Sequence, residues 1–184
     1  MSYLLKKYKE EAIPKMMEGF GYKSPMAVPK IEKIVVNTGF GKAIAGKSND
    51  EQKKFQSAVL EDLSLICGQK ATLRAAKKSI ASFKIRQGQI IGAAVTLRKK
   101  KMYDFLERLI QITFPRSRDF QGIDQKGFDK SGNLSIGIKE HIVFSEVSPE
   151  KAKNIFGLEI IIATSAKNKE EGVALLKLIG FPVK

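Results

Sequence analysis

The sequence has no tryptophan, a single cysteine (Cys67) and a single histidine (His141). One cysteine excludes an intrachain disulfide and any cysteine-based zinc site. Cys67 closes the apolar run Leu63-Ser64-Leu65-Ile66-Cys67 and reads as a small buried thiol. His141 has Glu140 beside it, but neighbours on an extended strand face opposite ways, so packing or a surface contact is the favoured reading over catalysis. No run of about 18 apolar residues occurs, so no membrane span is expected. Met1 to Glu18 is too charged for the apolar region of a signal peptide, and the expected location is cytoplasmic.

The most informative absence is local. Between Asp62 and Asp104 there is no acidic residue, while the same interval holds ten basic ones: Lys70, Arg74, Lys77, Lys78, Lys84, Arg86, Arg98, Lys99, Lys100 and Lys101. The whole chain of 184 residues carries 33 basic and 19 acidic side chains, a net charge of +14. A solvated surface normally intersperses the two signs. Positive charge concentrated without compensating acid points to a polyanionic partner. The segment 74–87 adds small and hydroxyl residues (Ala75, Ala76, Ser79, Ala81, Ser82) among its cations, which lets a nucleic-acid backbone come close. Phe83 either stacks on a base or sugar or anchors this segment to the core. A membrane surface fits less well, because little bulky apolar surface opposes the charge.

Enzymatic patterns are weak. Gly39-Phe40-Gly41 follows a strand, but position 44 is Ile where a dinucleotide fingerprint needs glycine, so a turn is the better reading. Asp119, Asp124 and Asp129 do not have calcium-loop spacing and are expected to solvate a loop or pair with Arg116, Arg118 and Lys126. No catalytic set, metal site or cofactor is expected. A zinc finger, a basic helix leading into heptads and an obvious helix-turn-helix are all lacking, which leaves RNA ahead of duplex DNA, and the strand over 90–98 lacks the aromatics of an RNA-recognition sheet.

The periodicities predict an amphipathic helix over 2–18 that Pro14 breaks or reshapes, and strands over 31–38, 71–74, 90–98, 134–138 and 158–164. Ser48 and Glu51 form a capping box for a helix that Gly68 stops. A second strong helix spans 99–114, ended by Pro115, and Asn168 with Glu171 caps a last one through Ile179. Segments 75–87 and 116–133 read as long loops. Gly92 is expected where another backbone comes close. With nothing resembling a linker, residues 1–184 are expected to form a single α+β domain: a mainly antiparallel sheet, helices packed on one face, and a long basic loop over 74–87.

Several segments together resemble a known family: Lys30-Ile31-Glu32-Lys33-Ile34-Val35-Val36-Asn37-Thr38-Gly39, Gly68-Gln69-Lys70, Ala76-Lys77-Lys78-Ser79-Ile80-Ala81 and Phe83-Lys84-Ile85-Arg86. They continue with Gly92, Val95-Thr96-Leu97-Arg98, Met102-Tyr103-Asp104-Phe105-Leu106, Pro115-Arg116-Ser117-Arg118-Asp119-Phe120, Gly137-Ile138-Lys139-Glu140-His141 and Thr164-Ser165-Ala166-Lys167. In this order they resemble the bacterial 5S-rRNA-binding protein family of the large ribosomal subunit, the one numbered five. The resemblance implies a non-catalytic constituent of the central protuberance, in contact with 5S rRNA, large-subunit rRNA and neighbouring ribosomal proteins of that region. It implies a 5S rRNA contact at Asn37, Thr38, Gln69, Lys70, Thr96 and Arg98. It implies a loop towards the peptidyl-site tRNA, carrying Arg74, Lys77, Lys78, Ser79, Lys84 and Arg86. It further implies a bridge to small-subunit ribosomal protein thirteen through the 110–120 segment, with Arg116 and Arg118, and the region of Glu140 and His141. The family usually has a basic residue at the place of Ala75 and glycine at the place of Ser82, so this loop carries one charge fewer and is stiffer. The competing readings are a stand-alone RNA chaperone, which would not sediment with large subunits, and a nucleotide-using enzyme around Asn37 to Gly41, which would bind ATP or NAD.

Overall fold

The computed structural model describes residues 3–118, 120–148, 150 and 154–184. Ser2 and Asp119, which figured in the readings above, lie outside them. Among the described residues the chain runs α1 (Tyr3–Lys7), α2 (Ile13–Phe20), β1 (Ile31–Gly39), α3 (Gly41–Ile44), α4 (Asn49–Cys67), β2 (Thr72–Ala75) and β3 (Ile90–Leu97). It continues with α5 (Lys99–Arg108), α6 (Phe114–Arg116), β4 (Leu134–Ile138), β5 (Leu158–Thr164) and α7 (Lys169–Ile179). The five strands form one mainly antiparallel sheet in the order β2-β3-β1-β5-β4, an α+β fold. Contacts group the chain into two compact units: Met1–Ile34, Leu97–Ile136 and Ile161–Lys184 in the first, Val35–Thr96 and Gly137–Ile160 in the second.

In the first unit, Pro14 reshapes its helix without ending it, one of the two expected outcomes, whereas the expectation that Pro115 ends its helix needs correction. A π turn, Tyr8–Ala12, joins α1 to α2, and another, Leu109–Thr113, joins α5 to α6. The Ile13 N–H reaches back to the Tyr8 carbonyl and the Phe114 N–H to the Leu109 carbonyl, one residue further than in an α-helix. Each widened turn comes immediately before X-Pro, so the ring enters at the first positions of a fresh α segment, where its missing N–H costs nothing. The helical run therefore continues to Phe20, beyond the expected 18, and the second to Arg116. Leu4, Tyr8, Ala12 and Met16 turn one buried stripe inward, and Met102, Phe105, Leu106 and Leu109 turn another. Phe114 stacks on Phe120 at 4.6 Å and meets Phe181 edge-on at 5.9 Å. Asn168 precedes α7 but its side chain makes no capping bond. The Glu171 carboxylate instead accepts the Lys167 N–H at 2.9 Å.

In the second unit, α4 opens on the expected capping box: Glu51 N–H donates to Ser48 Oγ and Ser48 N–H to the Glu51 carboxylate at 2.9 Å. It closes on Gly68 at φ +62°, a left-handed conformation that favours glycine. Phe55, Val59, Leu63, Ile66 and Cys67 face inward. Gly39-Phe40-Gly41 is a turn into a four-residue helix: Phe40 is buried against Phe55, their ring centroids 5.6 Å apart. Gly92 does meet another backbone, since a Cβ there would sit 2.8 Å from the Thr38 carbonyl oxygen.

Candidate nucleic-acid interface

The acid-free stretch of the second unit builds a hairpin, not the open loop expected over 74–87. β2 and β3 pair antiparallel with Thr72 opposite Ala94 and Arg74 opposite Gly92, and the register shifts at Ala75, which faces Ile90. Beyond the shift the chain keeps bonding to itself. Ala76 N–H donates to Gln89 O at 2.8 Å, Gly88 N–H to Ala76 O at 3.0 Å, and Gln87 N–H to Ser79 Oγ at 2.9 Å. Ile80 and Ile85 exchange both backbone bonds, at 2.9 and 3.2 Å, around a 3-10 turn at Ala81–Phe83. Lys84 turns the corner at φ +54°. β-branched Ile80 and Ile85 suit a bridge, and the side chains of Ser79 and Gln89 take up the Gln87 and Arg86 N–H groups. Ser79 is thus engaged in holding the hairpin together.

Arg74, Lys77, Lys78, Lys84 and Arg86 are all exposed on this hairpin. Among the described residues none of the five is in an ion pair. Phe83 is 66% exposed, so it is not a core anchor.

The sheet residues divide by strand alternation. Asn37 is half-buried on the open side of β1 and donates from Nδ2 to the Glu159 carboxylate of β5 at 3.0 Å. Thr38, one residue on, turns inward: it is 4% exposed and its hydroxyl donates to the Gly157 carbonyl at 2.7 Å. Its side chain thus turns away from the side that Asn37 occupies, by the period of two. Gln69 follows the Gly68 stop and donates from Nε2 to the Thr96 carbonyl at 3.1 Å. Thr96 is half-buried and Lys70 exposed. Asn37, Gln69, Lys70, Thr96 and the hairpin all belong to the second unit, whereas Arg98, exposed just before α5, belongs to the first. Glu159 was missed, although its place in Leu158-Glu159-Ile160 already put it opposite the buried residues.

Arg116 and Arg118 are exposed in the first unit, and Glu140 is exposed in the second. His141 is fully buried, so of the two expected readings, packing or a surface contact, its ring takes the first. Its ring stacks on Phe156 with centroids 3.9 Å apart, Nδ1 accepts the Phe156 N–H at 3.4 Å, and Nε2 lies 3.4 Å from the Asp62 carboxylate. Burial holds its pKa below the usual imidazole value, with Asp62 opposing, and burial raises that of Asp62. Of the loop carboxylates, Asp129 accepts bonds from Ser131 N–H, Asn133 N–H and Asn133 Nδ2, while Asp124 lies 3.8 Å from Lys126. Among the described residues no cluster of His, Cys, Asp and Glu suits a metal, and no helix is long and apolar enough to cross a membrane.

The family description "Ribosomal protein L5" matches residues 24–86, and "ribosomal L5P family C-terminus" matches residues 90–183. The chain is 50% identical over 184 residues to the large ribosomal subunit protein uL5 of Geotalea daltonii, covering 100% of this chain and 99% of that protein. It is 52% identical over 184 residues to the uL5 protein of Desulforapulum autotrophicum, with the same coverage. To that of Halothermothrix orenii it is 50% identical over 182 residues, covering 99% of this chain and 98% of the relative. With both halves matched in order and relatives aligned end to end, the chain belongs to the ribosomal protein L5 family, whose members are structural and not enzymes.

Proposed function

We propose that this structural constituent of the large ribosomal subunit, working on the cytoplasmic ribosome, grips 5S rRNA with the open face of its second unit and reaches the peptidyl-site tRNA with its basic hairpin. The observation that carries this reading is the ordered hairpin with five exposed cations and no acid, in the same unit as Asn37, Gln69, Lys70 and Thr96. The amide and hydroxyl groups of the sheet suit bases and 2′-hydroxyls, and the cations suit phosphates. Arg98 adds a cation to the 5S contact. Arg116, Arg118 and Glu140 are offered to small-subunit ribosomal protein thirteen, and the rest of the surface meets large-subunit rRNA and central-protuberance proteins. The family resemblance supports each of these assignments.

Filter binding of 5S rRNA to the full chain across a salt series tests the reading. If about six cations meet phosphates, the log–log slope is on the order of −4 to −5. Asn37→Ala with Thr96→Ala is expected to weaken 5S binding, while alanine at Lys77, Lys78 and Lys84 leaves most of it and impairs tRNA-dependent steps. A flat salt response, equal binding of unrelated RNA, or the same 5S loss in both variants counts against the proposal.

A further inference from the structure

We propose that Phe83 is a stacking residue: its ring packs on an unpaired or helix-terminal nucleobase of the RNA that the hairpin's cations engage. The inference rests on the hairpin's reading as the tRNA-facing element. An isolated exposed apolar side chain is ordinary, but this one has unusual surroundings. Phe83 is 66% exposed and Ile80 44% exposed, at the tip of a hairpin whose every charged side chain is a cation. The tip is also held in shape. Ile80 and Ile85 close it with two backbone bonds, and Lys84, in the left-handed region, donates its N–H to the Ala81 carbonyl at 3.0 Å. Little conformational freedom remains in that backbone to be lost on binding. An RNA offers phosphates for Lys84 and Arg86 and a flat π face for the ring within every nucleotide. Stacking also tolerates any base, so it adds grip without sequence readout.

The base can come from tRNA or from ribosomal RNA, and the test separates the two. Because the chain has no tryptophan, Phe83→Trp introduces a single reporter at the tip. The full chain carrying it is titrated with tRNA and, separately, with 5S rRNA. Saturable quenching by tRNA is expected, and Phe83→Leu is expected to weaken tRNA binding on the order of ten-fold with an unchanged salt slope. Lys77→Ala with Lys78→Ala instead flattens the slope by about 1 to 2. Quenching by 5S rRNA alone keeps the stacking but overturns the tRNA assignment of the hairpin. Binding of both RNAs with unchanged emission, and wild-type affinity for Phe83→Leu, overturns the stacking and leaves the cation contacts standing. If neither RNA binds the free chain, ribosomes carrying Phe83→Leu decide it. Faster release of peptidyl-site tRNA supports the inference, and an unchanged release rate overturns it.

Discussion

His141 combines full burial, a stacked aromatic neighbour and a carboxylate at 3.4 Å. With Nδ1 accepting the Phe156 N–H, the proton of the neutral ring sits on Nε2, on the Asp62 side. Burial disfavours the imidazolium, so the folded pKa lies below the unfolded one. The unfolded chain then binds a proton first as the pH falls. The stability contributed by neutral His141 is present above about pH 6.5 and is lost as the pH drops through the folded value. Asp62, whose pKa is raised by burial, acts in the opposite sense nearer the carboxylate range. Urea unfolding of the full chain between about pH 5 and 7 is expected to show this slope, and His141→Asn to flatten it. A slope unchanged in the variant sinks the assignment. Sequence reasoning favoured packing over catalysis here, but reading the segment as extended hid the partner. His141 opens a 3-10 turn at His141–Val143, and Asp62 comes from α4.

Among the elements, α7 carries a glycine that ordinary helix rules misjudge. Gly172 lies inside the helix, where alanine normally gains about 0.5–1 kcal/mol. Here an added Cβ would press on the Gly132 backbone, and Gly132 itself sits at φ +75° with its carbonyl accepting the Thr164 hydroxyl at 3.0 Å. The contact is backbone against backbone and cannot yield by a rotamer change. Gly172→Ala is therefore expected to destabilise by about 1–3 kcal/mol, seen as a lower urea midpoint. A midpoint at or above wild type contradicts this close packing. The two prolines teach the same lesson. Pro14 reads as a break or a reshaping and Pro115 as a stop, yet a preceding π turn lets each helix run on. Each widening stands directly before an X-Pro pair, so the sequence marks the place of the irregularity, and the structure shows that the helix widens there instead of stopping.

For the whole molecule, +14 is a self-repulsion that folding must hold together. Added salt screens it over about 8–10 Å at physiological strength. The thermal midpoint of the free chain is expected to rise by a few degrees from about 20 to about 300 mM KCl, each kcal/mol being worth about 2–4 °C at this size. On the proposed function, bound 5S rRNA should act oppositely with salt. At 100 times Kd it adds about 2.7 kcal/mol, and that increment shrinks as salt weakens binding. Parallel scans of the chain with and without 5S rRNA check both. A free-chain midpoint that falls with KCl would show that self-repulsion is not the dominant electrostatic cost.

The sequence by itself determined the element inventory, the α+β class, the capped helix α4 and the charge-segregated stretch, because periodicity, caps and composition act over a few neighbouring residues. β4 and β5 were legible to the residue, β4 from its alternation of apolar and small residues and β5 from its short β-branched run. The tertiary structure decided which polar residues face outward: Asn37 does and Thr38 does not, since the fold fixes which side of β1 is covered. It also turned the segment 74–87 from an open loop into a braced hairpin, because its pairing joins residues well apart in sequence, such as Arg74 with Gly92 and Ala76 with Gln89. It buried His141 against Asp62 and Phe156, far from it in sequence. Long-range pairing of this kind depends on how chain segments share a core, and no local pattern records it.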